Sequence, residues 1–192
     1  MQNFHPEAPR CRWCNPKNPI YIAYHDTEWG HLTRDERYLY EIFFLEGFQA
    51  GLSWECVLSK RSSFRLAFDN FDPERIANYT DEKIDALLQN PAIIRSRSKI
   101  KAAIENARIY RTIVKEYGCF FDYLTSFFKD FPIIETDKTA SKVSDAIAKD
   151  CKRRGMKYMG SITVYAFLQA VGLIVSHEKT CFLYQTPERM LL

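Results

Sequence analysis

The stretch SRSKIKAAIENARIYRTIVKEY, Ser96 to Tyr117, decides the fold class. Ile100, Ala103, Ile104 and Ala107 recur at i, i+3, i+4 and i+7, the spacing of one face of an α-helix. A helix over about 96–117 follows, and helical signals continue on both sides of it. Asp72-Pro73-Glu74 supplies an N-cap, a proline at the first helical position and a first-turn acid. Thr80-Asp81-Glu82 opens another short helix. Thr33 with Glu36 reads as a capping box for a helix running through about Glu46. Asp122 reads as the cap of a short helix. Ser141 opens one that ends near Gly155, and Ser161 to Val171 is apolar enough for a buried helix stopped by Gly172. Period-2 alternation is almost absent and glycine is scarce, at 7 residues. The sequence predicts an all-α protein of many short helices, irregular at Met1–Asn18 and at Gln185–Leu192.

A chain of 192 residues suits one domain and can bury a core without disulfides. No apolar run reaches the length of a membrane span, and MQNFHPEAPRCRWC has no hydrophobic signal core. The expectation is a cytoplasmic protein with no membrane partner, its six cysteines held as thiols or metal ligands. No dimerisation stripe is visible, so a monomer is expected. The net charge of +3 is too mild to argue for nucleic acid, and local clusters must carry that case.

Aromatics are plentiful, at 15%. YIAYHDTEWG, Tyr21 to Gly30, is one dense stretch and FFLEGFQAGLSW, Phe43 to Trp54, is another. Tyr21, Tyr24, Trp29 and Trp54 with the single carboxylate of Glu46 suit a flat, electron-poor or cationic ring. They suit core packing equally well, with Glu46 reaching to solvent. If Glu46 is buried among Phe43, Phe44 and Leu45, it must find donors or a positive charge, or stay protonated. Gly47 and Gly51 are expected to bracket a helix break, leaving Leu52 on a tight turn.

Two further patterns carry chemistry. His177 and Cys181 are spaced i, i+4 near one end, with Cys11, Cys14 and His25 near the other. Two thiolates and two imidazoles make a neutral tetrahedral zinc site with no open position for water, a structural clip. Incidental burial is the alternative for these residues. PAIIRSRSKIKAAI, Pro91 to Ile104, joins two helices and carries Arg95, Arg97, Lys99 and Lys101. A helix start with cations beside it suits a DNA phosphate, though the bend lacks the usual glycines. Lys152, Arg153, Arg154 and Lys157 form a second cluster. Either cluster also fits a solvated face.

Taken in order, these motifs resemble the DNA-3-methyladenine glycosylase I family. The likeness rests on R-C-x-W from Arg10, Y-I-A-Y-H-D-x-E-W-G from Tyr21, L-E-G-x-Q-A-G-L-S-W from Leu45 and I-I-R-x-R-x-K-I from Ile93. It continues through R-G-x-K-x-x-G from Arg154, Q-A-x-G-L from Gln169 and H-x-x-x-C from His177. The resemblance implies a helix-hairpin-helix DNA glycosylase fold with a small zinc-binding subdomain formed by the two termini. The domain would cover residues 10–184, its zinc portion about 10–30 and 173–184, with irregular tails at 1–9 and 185–192. It implies one structural Zn2+ on Cys11, His25, His177 and Cys181, with Cys11 preferred to Cys14 because it holds the R-C-x-W position. Glu46, Tyr24 and Trp54 would contact the excised base, with Tyr21 and Trp29 as further pocket walls. Gly51 and Leu52 would probe the duplex, and Arg95, Arg97 and Lys99 would lie on the DNA side. The partner would be double-stranded DNA containing alkylated bases. The reaction would be hydrolysis of the N-glycosidic bond, without strand cleavage. Asp122 is better explained as a cap than as a catalytic acid. Two other functions fit the same residues: a non-catalytic binder of damaged DNA, and a zinc hydrolase with a different substrate.

Overall fold

The structure, a computed structural model, describes residues 7–184. Its longest helix, α7, spans Arg97–Tyr117. Ser96 caps it, its side chain accepting from the Lys99 amide, and it stops at Gly118. Ile100, Ala103, Ile104 and Ala107 are all buried, as their spacing predicts, together with Tyr110 and Ile113. Before it lie α1 (Pro19–Thr27), α2 (Glu36–Gln49), α3 (Trp54–Ser59), α4 (Arg61–Ala67), α5 (Pro73–Ala77) and α6 (Asp81–Gln89). After it come α8 (Phe120–Thr125), α9 (Lys142–Arg154) and α10 (Ser161–Ala170). The caps read at Asp72, Thr80 and Ser141 all form, and α9 ends on Gly155 in the left-handed conformation.

α2 is the central helix. It packs against α3, α7, α8 and α10. Leu39, Ile42, Phe43, Leu45 and Phe48 are almost wholly buried on it. Each such side chain contributes roughly 1.5–3 kcal/mol by leaving water. Phe44, Phe48, Phe64 and Phe68 pack as a ring cluster between α2 and α4.

Four sequence readings need correction. The helix expected from Thr33 to Glu46 is α2, capped instead by Asp35 and extending to Gln49. Glu36 is not bent back on its own cap. Its carboxylate accepts from the amides of Phe120 and Phe121 at 2.8 and 2.9 Å, and so holds the start of α8. Gly47 does not break α2, because the helix runs through it; Gly51, at φ +77°, does. α8 is capped by the Cys119 sulfur, which accepts from the Asp122 amide, so Asp122 is a third-position residue and not the cap.

The all-α expectation also misses one parallel pair, β1 (Ile133–Ile134) on β2 (Ile174–Val175). Two residues per strand are too few to show an alternation. Residues 7–18 are without helix or strand, as expected, while the readings for 1–6 and 185–192 lie outside the described residues.

The pair anchors the C-terminal segment, because β2 leads directly into His177. Just before it, Gly172 lies against the segment entering α2. A Cβ at Gly172 would fall 2.3 Å from the Leu32 amide nitrogen, and its φ is +76°. Thr33 donates to the Val171 carbonyl at the same crossing. Residues 31–33 and 171–172 cross there. Among the described residues no helix is long and apolar enough to cross a membrane.

Candidate active site

α1 was not foreseen as a helix. Asn18 caps it through its side chain and Pro19 stands at its first position. Tyr21 and Tyr24, three apart, therefore share a face, which turns toward α2 and α3. There Glu46, Trp54, Trp29 and Tyr21 close a cavity of about 200 Å³ with Tyr24, Trp13, Gln49, Ala166 and Gln169. Pockets for drug-sized ligands run to roughly 300–1,000 Å³, so this one suits a single small ring system. Another cavity, between Phe43, Phe48 and Tyr158, is about 10 Å³ and admits at most one water.

The walls are aromatic and mutually braced. Trp13 packs edge-on against Trp29 at 4.9 Å and lies 5.3 Å from Tyr21; Tyr24 and Trp54 are 5.5 Å apart. Glu46 is 3% exposed, and its Oε2 finds no hydrogen-bond partner among the described residues. Burial pushes its pKa up to about 8. The Trp54 Nε1 donor is likewise buried and unpartnered. A buried carboxylate and indole N–H left without partners are costly, unless a ligand supplies them. Burial raises the Tyr24 phenol well above its usual range, and Tyr21 to about 12, so both remain neutral donors.

Directly behind this wall lie Cys11, His25, His177 and Cys181. All four are buried, and their ligand atoms lie within 4.8 Å of one another. Cys181 Sγ is 3.5 Å from both His25 Nε2 and His177 Nδ1, and Cys11 Sγ is 3.5 Å from His177 Nδ1. This donor set can hold a metal ion. Cys14 does not join it; its thiol points to the Tyr21 carbonyl. His25 Nδ1 is held by Asp26 at 2.8 Å, and Asp26 accepts from Nε and Nη2 of Arg10. Trp13 touches His25, and Trp29 stands edge-on to His177 at 4.7 Å. The cluster and the cavity share these two indoles.

Comparison with known proteins decides the family. The methyladenine glycosylase family matches residues 13–184. The chain belongs to this family. It is 41% identical over 181 residues to DNA-3-methyladenine glycosylase 1 of Escherichia coli (strain K12), covering 91% of this chain and 96% of that one. A crystal structure of 3-methyladenine DNA glycosylase I superposes with a TM-score of 0.87 at 44% identity, over 92% of this chain and all of the other. A tyrosine-to-phenylalanine variant of such a glycosylase, solved in complex with 3-methyladenine, gives a TM-score of 0.86 at 33% identity, over 92% and 98% of the two chains. The helical architecture is therefore that of a methyladenine glycosylase.

Between Gln49 and Trp54, which both line the cavity, Gly51 and Leu52 form the turn from α2 to α3, with Leu52 40% exposed. The hairpin between α6 and α7 lies beside it. Arg95 is exposed at its bend, while Arg97 pairs with Asp85 of α6. Lys99 does not face outward as a free cation: its ammonium donates to the carbonyls of Phe48 and Ala50 at 2.7 and 2.6 Å. In the second basic cluster, Arg153 and Arg154 pair with Asp150, and Arg154 with Glu116 as well. Asp122 is exposed and does not line the cavity. Trp13, Gln49, Ala166 and Gln169 were not singled out as cavity residues. Trp13, Gln49 and Gln169 sit inside the quoted motifs, which was the available signal.

Proposed function

We propose that this chain is a monofunctional DNA glycosylase that removes 3-methyladenine from alkylated double-stranded DNA and leaves an abasic site. Its family membership and the names of its relatives support the activity. The observation that carries the mechanism is Glu46, buried in a ring-lined cavity with its Oε2 unpartnered among the described residues. Methylation at N3 makes the nucleoside base cationic and weakens its bond to the sugar. Flipped into the cavity, the ring stacks on Trp54 beside Tyr24, between Tyr21 and Trp29. Glu46 accepts hydrogen bonds from the base edge and, once ionised, favours a cationic purine over a neutral one.

The base then leaves with the pair of the C1′–N bond and becomes neutral. Water adds at C1′ and releases a proton. Among the described residues no lysine lines the cavity, which supports hydrolysis over Schiff-base chemistry. Gly51 and Leu52 are assigned to the gap in the duplex, with Arg95 and Arg97 on the basic rim beside it and the Lys99 ammonium turned inward to the end of α2.

The metal is assigned as one structural Zn2+. Zinc–sulfur bonds of about 2.3 Å and zinc–nitrogen bonds of about 2.05 Å at a tetrahedral angle put S and N about 3.6 Å apart. The S–N separations of 3.5 Å support that assignment. Four protein ligands would leave the ion no open position for water, so it would serve to tie residues 10–30 to 173–184. The described residues 10–184 are read as one glycosylase unit, acting as a monomer in the cytoplasm. Chromatography of bases freed from chemically methylated DNA tests the function: 3-methyladenine is expected in the soluble fraction. A protein that leaves every methylated base on the DNA overturns the reading.

A further inference from the structure

The end of α2 has an unusual solution for its last carbonyls. A helix normally satisfies them with amides of the following turn or with water. Here Leu52 donates its amide to Gln49 at 2.6 Å, but Ala50, the cap residue, donates nothing back. The carbonyls of Phe48 and Ala50 are taken instead by Lys99, which comes from the first turn of α7, 49 to 51 residues away. Among the described residues no carboxylate pairs with Lys99. The negative end of the α2 dipole is its counter-charge. The Tyr158 ring lies 6.0 Å from the ammonium on the other side, and its hydroxyl bonds to Ser98. Burial lowers the Lys99 pKa, which the contacts to the two carbonyls do not reverse.

We propose that Lys99 is a positioning residue which locks the Gly51–Leu52 turn to the hairpin, and does not bind a phosphate. This rests on the glycosylase function proposed for the chain. A duplex seated on the hairpin then meets Leu52 at a fixed height, two residues from Trp54 in the cavity wall. A single ammonium couples the surface that carries the duplex to the side chain that enters it.

Three measurements on the full chain test this. Lys99→Met is expected to slow single-turnover release of 3-methyladenine from methylated duplex DNA about tenfold. Binding of free 3-methyladenine, followed by tryptophan fluorescence, is expected to stay within about twofold of wild type, because the cavity itself is untouched. The slope of log affinity for abasic duplex against log salt is expected not to change. Loss of a phosphate contact would instead reduce that slope by about 0.9, and that result overturns the proposal. Combined with Leu52→Ala, Lys99→Met is expected to add less than about twofold; a full, independent tenfold loss also overturns it. Lys99→Arg, which can donate to both carbonyls, is expected to recover most of the rate. If Lys99→Met proves insoluble, Lys99→Gln is carried through the same salt titration and double-variant measurement, with the same outcomes deciding. A wild-type protein that releases no base refutes the glycosylase reading, not the tie.

Discussion

Glu41 and Glu46 stand five residues apart on α2, both buried, and their surroundings differ completely. Glu41 meets Arg61 at 2.6 Å and Arg65 at 2.7 Å, and Arg61 also reaches Glu28 at the end of α1. Among the described residues Glu46 meets no cation, and burial lifts its pKa to about 8. One glutamate has its charge balanced inside the fold. The other faces a ring-lined cavity with no balancing cation among the described residues. The lesson is that burial alone does not mark a functional acid; the missing partner does.

Substitution can undo this contrast from either side. Replacing Glu41 with Ala leaves Arg61 with Glu28 alone and is expected to cost about 3 kcal/mol in urea denaturation. This is the low end for a broken buried pair, because Arg65 is half-exposed. Excision should then fall only as far as folding does. Glu46→Gln should do the reverse: base release falls about a hundredfold, roughly 2.7 kcal/mol, with folding stability at neutral pH no worse than wild type. A variant that kept full activity would remove Glu46 from the mechanism.

Smaller effects bear on the same contrast. Cys181→Ser should abolish zinc binding by elemental analysis and cost about 2 kcal/mol, or about 4–8 °C in thermal melts. Affinity for free 3-methyladenine should fall as well, because Trp13 and Trp29 lean on the Cys/His cluster. The pH dependence of folding reads the Glu46 carboxylate in a different way. Between the ordinary glutamate value of 4.5 and about 8, the folded chain keeps a proton on Glu46 that the unfolded chain releases. Stability is therefore fully present below the lower value and declines as pH rises to the upper one, by at most about 1.4 kcal/mol per unit. Melts of Glu46→Gln should lack that decline. Last, Asp122→Asn is exposed and away from the cavity, so excision should stay within about twofold of wild type.

The helical class was legible because α7 writes its buried face in aliphatic residues at regular spacing and Ser96, Asp72, Thr80 and Ser141 are ordinary caps. α1 was not, because its aromatic residues bury on several sides and leave no apolar stripe; Asn18-Pro19 was the only local clue. Glu36 and Asp122 were misread for a shared reason: a cap is a tertiary choice, and Asp35 and the Cys119 sulfur were nearer the open amides. The cavity residues could be named from the aromatic runs and the family resemblance, but composition cannot tell a walled site from a core. Lys99 shows the same limit from the other side. A cation in a basic run looks free until the two carbonyls that occupy it are brought in from α2.

Gly172 has a consequence for anyone scanning this chain by mutation. With a backbone nitrogen 2.3 Å from where any side chain would begin, and a φ of +76°, the position tolerates one amino acid on folding grounds alone. A saturation library sorted only for soluble expression should return glycine there as firmly as a library sorted for base release. Intolerance at 172 would thus report a crossing of two strands of chain, and comparing the two libraries would separate such positions from those that hold the damaged base.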